Sequence, residues 1–312
     1  MGRKRKFGRP VNGVILIDKI PGMTSNDVVQ KAKRLFFASK AGHTGALDPL
    51  ATGVLPICLG EATKFSQYLL DSDKCYESVF RFGQTTDTGD SDGQVVSEAE
   101  TGALTEAQVI SAMAAYQGDI QQIPPMYSAL KKDGQPLYKL AREGIEVERD
   151  ARAVTIHAYE LLEFCPGSSA SAKVRISCSK GTYVRSLAED LGRDLGCGAH
   201  VAELRRIQTG EFSIEGAYTL AELEEMRGEG RAEVLDEHLL SVDAPVQSFP
   251  CLKLDDDGAF YFGRGQAVMD SQVYRIGEEG DTVRVFREAG EFLGLGEITD
   301  DGRITPKRLV VS

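Results

Sequence analysis

One acidic residue, Asp48, lies in a segment made mostly of glycine and other small residues, GHTGALDPLATG at positions 42–53. The segment contains no second acid, and Pro49 restricts the backbone directly after the aspartate. A carboxylate placed in this way is typical of a catalytic or ligand-binding loop. Asp before Pro also starts ordinary turns, so a purely structural role stays open at this point.

The elements around this loop are predicted from hydrophobic periodicity. Residues 13–18 (GVILID) form an apolar run with β-branched residues, which predicts a buried strand. Thr24 or Ser25 can cap a helix that extends to about Ser39, since its apolar positions recur at helical spacing. Between 41 and 60, the glycines and two prolines predict an ordered loop without a long regular element.

Strands and helices alternate irregularly in the following residues. Capping boxes predict helices after Thr105 and after Thr219, each with Gln or Glu three residues later. Strands are expected at 74–82, 154–163 and 173–179, a helix at 61–70, another at 186–195, and a polar excursion at 123–152 that could cover a ligand. Because no steady βαβ rhythm is present, we expect an α+β fold with a mixed sheet and flanking helices.

The last third of the chain contains a second pattern. From about residue 249, short strands alternate with glycine turns, which predicts a small C-terminal β-barrel of about sixty residues. We therefore expect a flexible basic tail at 1–10, one domain at 11–247 and a second at 248–312. Five of the first ten residues are Lys or Arg, and such a tail could contact phosphate.

Composition excludes some classes of protein and leaves others open. No apolar run approaches the roughly 18 residues that a membrane helix needs, so we expect a cytoplasmic protein without a membrane partner. The six cysteines lack zinc-site spacing. The net charge of −11 counts against nucleic-acid binding, yet residues 170–210 hold seven Lys/Arg against four acids. A basic groove and ordinary solvated faces are both compatible with this distribution.

Several long motifs in order resemble the TruB branch of the pseudouridine synthases. They are GVILIDKIPGMTSND, AGHTGALDPLATGVLPICLGEATKF, YESVFRFGQTTDTGDSDG, PPMYSALKKDGQPLYKLAREG, SKGTYVRSLAEDLG and CGAHVAELRRIQTG. The resemblance implies a pseudouridine synthase fold with a C-terminal PUA-like RNA-binding domain. It also implies isomerisation of the uridine at position 55 in the TΨC stem-loop of tRNA, without a metal or organic cofactor.

By the same resemblance, Asp48 matches the nucleophile of the family. The carboxylate would add to carbon 6 of the uracil or attack carbon 1 of the ribose, and both routes stay open. Arg185 matches an arginine that pairs with this aspartate and favours its ionised form. Tyr76 matches a tyrosine beside the flipped nucleotide, although alternation alone favours an ordinary sheet tyrosine.

Three further residues complete the expected site. His43 matches the residue that occupies the space vacated by the flipped base. Tyr183 is expected to line the pocket, and Lys64 to contact RNA or pair with acids. We expect the protein to act as a monomer, with tRNA folding as a possible additional role.

Two alternatives differ in class from this hypothesis. A non-catalytic RNA-binding or tRNA-folding protein would not need Asp48. An unrelated aspartate-dependent enzyme, such as a phosphatase or glycosidase, would need a metal-binding pair or a second nearby carboxylate, and residues 42–53 supply one acid only.

Overall fold

A computed structural model describes residues 8–311 of the chain. The strands before residue 248 are, in chain order, β1 (Gly13–Lys19), β2 (Ala41–His43), β3 (Thr52–Leu59), β4 (Lys74–Phe82), β5 (Gln84–Thr86), β6 (Val95–Glu98), β7 (Gly118–Gln122), β8 (Lys131–Lys132), β9 (Gln135–Pro136), β10 (Arg152–Cys165), β11 (Ser171–Cys178), β12 (Ala199–Thr209) and β13 (Phe212–Ser213). The α-helices are α1 (Ser25–Leu35), α2 (Ser66–Leu70), α3 (Glu106–Met113), α4 (Leu137–Arg142), α5 (Val184–Asp194) and α6 (Leu220–Arg227). Short 3₁₀ segments of three to seven residues link several of these elements.

Nine of these strands form one mixed sheet. Its order is β1-β3-β12-β4-β11-β10-β7, with β2 added to β3 and β13 added to β12. Strands β3 and β12 are parallel, and the other neighbours are antiparallel. Helices pack on the sheet over a large apolar core, and a smaller apolar cluster includes residues of β1 and β3, so the α+β class is confirmed.

Local sequence signals predicted several elements correctly. Strand β1 and helix α1 lie where the apolar patterns place them. Helices α1, α3 and α6 each begin with a capping box in which a threonine and a side chain three residues later satisfy each other's backbone N–H groups. The threonines are Thr24, Thr105 and Thr219.

The expectation of a loop throughout residues 41–60 is wrong for β3, an eight-residue strand. Two features that argue against a strand are accommodated by its neighbours. A Cβ on Gly53 would lie 2.1 Å from the carbonyl oxygen of Arg206, so only glycine permits β12 to approach here. Within the described residues Pro56 pairs only with Leu16 of β1, and its carbonyl faces Thr44 on the opposite side. The missing N–H lies on the same side as this carbonyl, so it costs no ladder bond with β1.

Strand β12 lies near the centre of the sheet, and the sequence pattern did not predict it. It carries His200 and Arg206, both buried, where a half-buried strand usually has apolar residues. Buried polar side chains of this kind obscure the alternation on which strand prediction depends.

The N-terminal tail falls partly outside the described residues, since 1–7 are not included. Arg9 is well anchored. Its guanidinium pairs with Asp236 and donates to the carbonyl of Phe36. The ordered chain therefore begins before Val11, where we expected folding to start.

Residues 123–152 form an excursion that we call the strap. It contains the small β8–β9 hairpin and α4, and most of its side chains are exposed. Its first residues lie against the start of α5, where the Ser186 hydroxyl donates to the carbonyl of Ile123 at 2.9 Å.

After residue 250 a second sheet has its own core. Its strands are β14 (Cys251–Leu254), β15 (Val268–Met269), β16 (Thr282–Arg287), β17 (Phe292–Ile298) and β18 (Arg303–Leu309), in the order β14-β16-β17-β18-β15, with helices α7 (Asp256–Phe262) and α8 (Val273–Ile276). In the described residues the two end strands do not pair, so the PUA-like part is a curled half-barrel.

No helix within residues 8–311 is long and apolar enough to cross a membrane.

Candidate active site

Asp48 lies in the loop between β2 and β3, and buried polar contacts hold this loop in place. The ammonium group of Lys19, at the end of β1, donates to the carbonyls of Pro49 at 3.0 Å and Ala51 at 2.5 Å. The Ser25 hydroxyl, at the start of α1, accepts the N–H one residue before Asp48. Because both contacts come from other elements of the core, the loop is fixed while the carboxylate of Asp48 stays 39% exposed.

Arg185, on the first turn of α5, connects three segments at the site. Its Nε atom lies 3.0 Å from Oδ2 of Asp48. One terminal nitrogen donates to the carbonyl of Thr88 and the other to that of Tyr127, both at 2.8 Å. Asp90 lies 3.7 Å away on the same guanidinium. The Arg185 side chain is only 4% exposed, so its orientation is determined by these partners.

The charges near Asp48 act in opposite directions. Loss of surrounding water raises the pKa of Asp48 above its ordinary value, and the charge of Asp90 adds to this shift, while Arg185 and Lys19 oppose it. Burial lowers the pKa of Lys19 to about 8, although the charge of Asp48 opposes that change. A carboxylate with a raised pKa is more basic than one in water, while the two nearby cations favour its ionised form.

Tyr76 and a buried arginine form the next part of the site. Tyr76 on β4 lies opposite Arg206 on β12, and burial raises the pKa of its phenol, so the hydroxyl stays protonated at neutral pH. Arg206 is 1% exposed and donates to the carbonyls of Val54 at 2.9 Å and Gly45 at 3.2 Å. Arg206 therefore holds the backbone on both sides of Asp48, and its buried guanidinium is not available to contact phosphate.

His43 ends β2, five residues before Asp48. Its Nδ1 accepts the N–H of Gly45 at 3.3 Å. Burial and the nearby charge of Arg206 lower the pKa of His43, so its ring is neutral at pH 7. A neutral, partly buried imidazole is suited to stacking on a base.

Tyr183 directly precedes α5 and lies near Asp48, whose charge contributes to raising the pKa of its phenol after the larger effect of burial. The structure therefore brings Asp48, Arg185, Tyr76, His43 and Tyr183 into one region.

Lys64 has its contacts elsewhere. Its ammonium contacts Glu61 at 2.5 Å and the carbonyl of Leu309 at 2.9 Å, at the junction with the C-terminal sheet.

Three residues of this region were missed by the sequence reasoning: Lys19, Asp90 and Gln122. A lysine at the end of an apolar strand gave a weak signal, and Asp90 stands in the polar TTDTGDSDG run. Gln122 gave none. Within residues 8–311, no three or more His, Cys, Asp and Glu side chains are grouped to hold a metal ion.

Comparisons with known proteins cover the whole length of the chain. Residues 33–184 match the profile of the TruB family pseudouridylate synthase N-terminal domain. Residues 185–247 match the tRNA pseudouridylate synthase B C-terminal domain, and residues 250–310 match the pseudouridine synthase II TruB C-terminal region. The chain is 64% identical over 310 residues to tRNA pseudouridine synthase B of Saccharophagus degradans, with 99% of each chain covered.

This chain belongs to the TruB family of pseudouridine synthases. It is thus an isomerase. The enzyme of the same name from Pseudomonas aeruginosa is 51% identical over 312 residues, with both chains fully covered. Among solved structures, a chain of a Cbf5-Nop10-Gar1 complex superimposes with a TM-score of 0.68 at 27% identity, covering 96% of this chain and 84% of that one. Such agreement confirms the pseudouridine synthase fold of the TruB family here.

Proposed function

We propose that this TruB-family enzyme isomerises the uridine at position 55 in the TΨC arm of tRNA, with Asp48 as the covalent nucleophile. The observation that carries the proposal is the Asp48–Arg185 pair. The carboxylate is partly open to solvent, whereas its cation is enclosed by protein and held by two further acceptors. A nucleophile must be both reachable and oriented, and the pair meets both requirements.

The reaction exchanges one bond to the ribose for another. The bond from N1 of uracil to carbon 1 of the ribose breaks, the base rotates, and carbon 5 bonds to the ribose carbon. Carbon 5 loses a proton and N1 gains one, so no external reactant is consumed. Asp48 can add to carbon 6 of the uracil or attack the ribose carbon, and either intermediate is covalent.

A uridine stacked in a folded tRNA arm cannot reach Asp48, so the enzyme must extrude it. His43 would fill the space that the base leaves, since its neutral ring can stack on neighbouring bases. Tyr76 and Tyr183 would line the pocket around the flipped nucleotide. Both phenols have raised pKa values from burial and stay uncharged beside the carboxylate.

The rest of the chain would bind the remainder of the tRNA in the cytoplasm, with one copy of the protein acting alone. Residues 248–312 would strengthen binding as an RNA-binding PUA-like domain, since every residue assigned to chemistry lies in residues 11–247. Lys64 would contact RNA only by leaving its contacts with Glu61 and Leu309. Refolding of misfolded tRNA would use the same binding surface.

The test uses unmodified tRNA transcript and the purified full-length protein. We expect pseudouridine at position 55 alone, and none in a matched transcript that carries cytidine there. Binding of transcript without any conversion would favour the non-catalytic alternative. Conversion at other positions with position 55 untouched would contradict the assigned substrate.

A further inference from the structure

The helix that carries Arg185 begins differently from the other long helices. In α1, α3 and α6 the capping residue is a threonine, and its partner lies three positions later in the same helix. Helix α5 is preceded by Tyr183, whose side chain makes no cap hydrogen bond. Its start is therefore not secured by its own sequence.

Gln122 anchors the residue that precedes α5 from a distance of 61 residues. This glutamine ends β7 and is 2% exposed. Its side-chain oxygen accepts the backbone N–H of Tyr183 at 2.7 Å, and its side-chain nitrogen donates to the Tyr183 carbonyl at 3.0 Å. One amide thus pairs with both backbone groups of the residue that leads into α5, as a neighbouring strand would.

The same turn of α5 has two more attachments, and both go to the strap residues that directly follow Gln122. The Ser186 hydroxyl donates to the carbonyl of Ile123, and Arg185 donates to the carbonyl of Tyr127. Residues 183–186, at the start of α5, are therefore joined at three points to residues 122–127, which comprise the end of β7 and the first residues of the strap. Any shift of this unit moves the guanidinium that contacts Asp48.

We propose that Gln122 is a positioning residue of the active site: its amide fixes the first turn of α5 and so keeps Nε of Arg185 at Oδ2 of Asp48. The inference rests on the proposed function in so far as Asp48 performs the chemistry. Gln122 itself touches no reacting atom.

The expected effect follows from the electrostatics of the site. Arg185 lowers the pKa of Asp48 and opposes the effect of burial. If α5 shifts and the Arg185 contact lengthens, the pKa of Asp48 rises. The titratable groups that influence Asp48 from the surrounding elements are Arg185 on α5, Lys19 on β1, Asp90 after β5, Tyr76 on β4 and Tyr183 before α5.

Gln122→Met tests the inference, because it keeps the side-chain length and removes both hydrogen bonds. The Asp48 carboxyl would be titrated by NMR, with carbon-13 in the aspartate carboxyls and Asp48→Asn to assign its signal. The titration midpoint reports on the contact between Arg185 and Asp48 and does not depend on catalytic activity. We expect the titration midpoint to rise by about half a pH unit or more. At saturating enzyme and neutral pH, the single-turnover rate of pseudouridine formation should fall about tenfold.

Thr101→Val is the matched control. It removes a buried hydroxyl that donates to the carbonyl of Gly167 at 2.6 Å, another link between distant segments. The thermal stability of Thr101→Val should fall as much as that of Gln122→Met. The titration midpoint of Asp48 and the single-turnover rate should both stay unchanged. If Gln122→Met does not fold, Ser186→Ala loosens the same turn, and a smaller upward shift is expected.

An unmoved Asp48 midpoint in a folded Gln122→Met protein would overturn the inference, whatever happens to the rate. If that variant does not fold, an unmoved midpoint in Ser186→Ala would overturn it. A shifted midpoint in a protein whose wild-type form makes no pseudouridine would instead contradict the proposed function and leave the positioning role of Gln122 intact.

Discussion

The Asp48 site contains the ion pair Asp48–Arg185 and the C-terminal sheet the ion pair Glu297–Lys307. Both are of ordinary length, but their cations lie in opposite surroundings. Arg185 is enclosed by protein, and its two carbonyl partners lie 97 and 58 residues away in the chain. In the C-terminal sheet, Lys307 pairs with Glu297 at 2.6 Å, only ten residues away, and both side chains are more than two-fifths exposed.

This difference indicates where a charge matters to function. An exposed pair contributes about 0–1 kcal/mol to stability, because water and salt screen it. Arg185 is buried although Asp48 is not, and a buried charge that loses its partners costs several kcal/mol. The site therefore depends on charges that the whole fold must position, and the C-terminal sheet depends mainly on its apolar core.

Arg185→Lys should give the largest effect among tests of this contrast. Asp48, Thr88 and Tyr127 lie around three different nitrogens of the planar guanidinium. The single nitrogen of a lysine cannot reproduce that arrangement, so we expect the single-turnover rate to fall about a hundredfold or more. Arg287→Lys is the control on the exposed surface of the C-terminal sheet, where the rate should stay within about twofold. Equal single-turnover rates for the two variants would show that catalysis does not depend on Arg185.

Asp90→Asn should shift the pH dependence of the reaction. In the proposed mechanism the rate requires ionised Asp48 and is lost as pH falls through its pKa, which lies above the ordinary value of 3.8. Since the charge of Asp90 raises that pKa, its removal should move the acid limb of the single-turnover profile to lower pH. Asp87→Asn changes an exposed acid of the same loop. A shift of the same size in that control would contradict the assigned effect.

The junction between the two sheets should be important for stability but not for chemistry. The Phe292 ring packs against Phe65 and Phe286, with centroids 5.4 and 5.2 Å apart. Phe292→Ala should lower the free energy of unfolding by about 2–3 kcal/mol, measured by urea denaturation. Phe260→Ala, on the half-exposed face of α7, should cost less than about 1 kcal/mol. Rates at saturating enzyme should remain unchanged in both, and a lost rate in folded Phe292→Ala would argue against separate roles.

The smallest effect is expected for Lys307→Ala. Loss of its exposed pair with Glu297 should change the free energy of unfolding by less than about 0.5 kcal/mol. High salt should reduce even that difference. Urea denaturation at low and high salt provides the measurement. A loss of several kcal/mol would mean that exposed pairs stabilise this sheet after all.

The parts of the fold that sequence could predict are those set by neighbouring residues. The capping box of Thr219 needs only Glu222, and the apolar run of β1 is visible directly. Strand β3 was missed because the tolerance of Gly53 and Pro56 depends on strands that approach from elsewhere in the chain.

The site, too, could be predicted from the sequence only in part. Asp48 stood out because small residues surround it, and family resemblance supplied Arg185, Tyr76, His43 and Tyr183. The supports came only from the structure. Lys19 reaches carbonyls 30 and 32 residues away, and Gln122 reaches Tyr183 across 61 residues. No local pattern reveals such contacts, because each partner is an ordinary residue in its own segment.

The most direct test of the central claim compares two acid-to-amide variants, one at Asp48 and one at Asp92, an exposed acid two residues after Asp90 whose charge acts on Lys19. Asp48→Asn and Asp92→Asn would each be mixed in excess with unmodified tRNA transcript, and pseudouridine at position 55 would be measured over time. Both should bind the transcript within a few fold of wild type, since phosphate contacts supply most of the affinity. The account predicts no pseudouridine with Asp48→Asn and near-complete conversion with Asp92→Asn. Conversion by folded Asp48→Asn would contradict the assignment of Asp48 as the nucleophile.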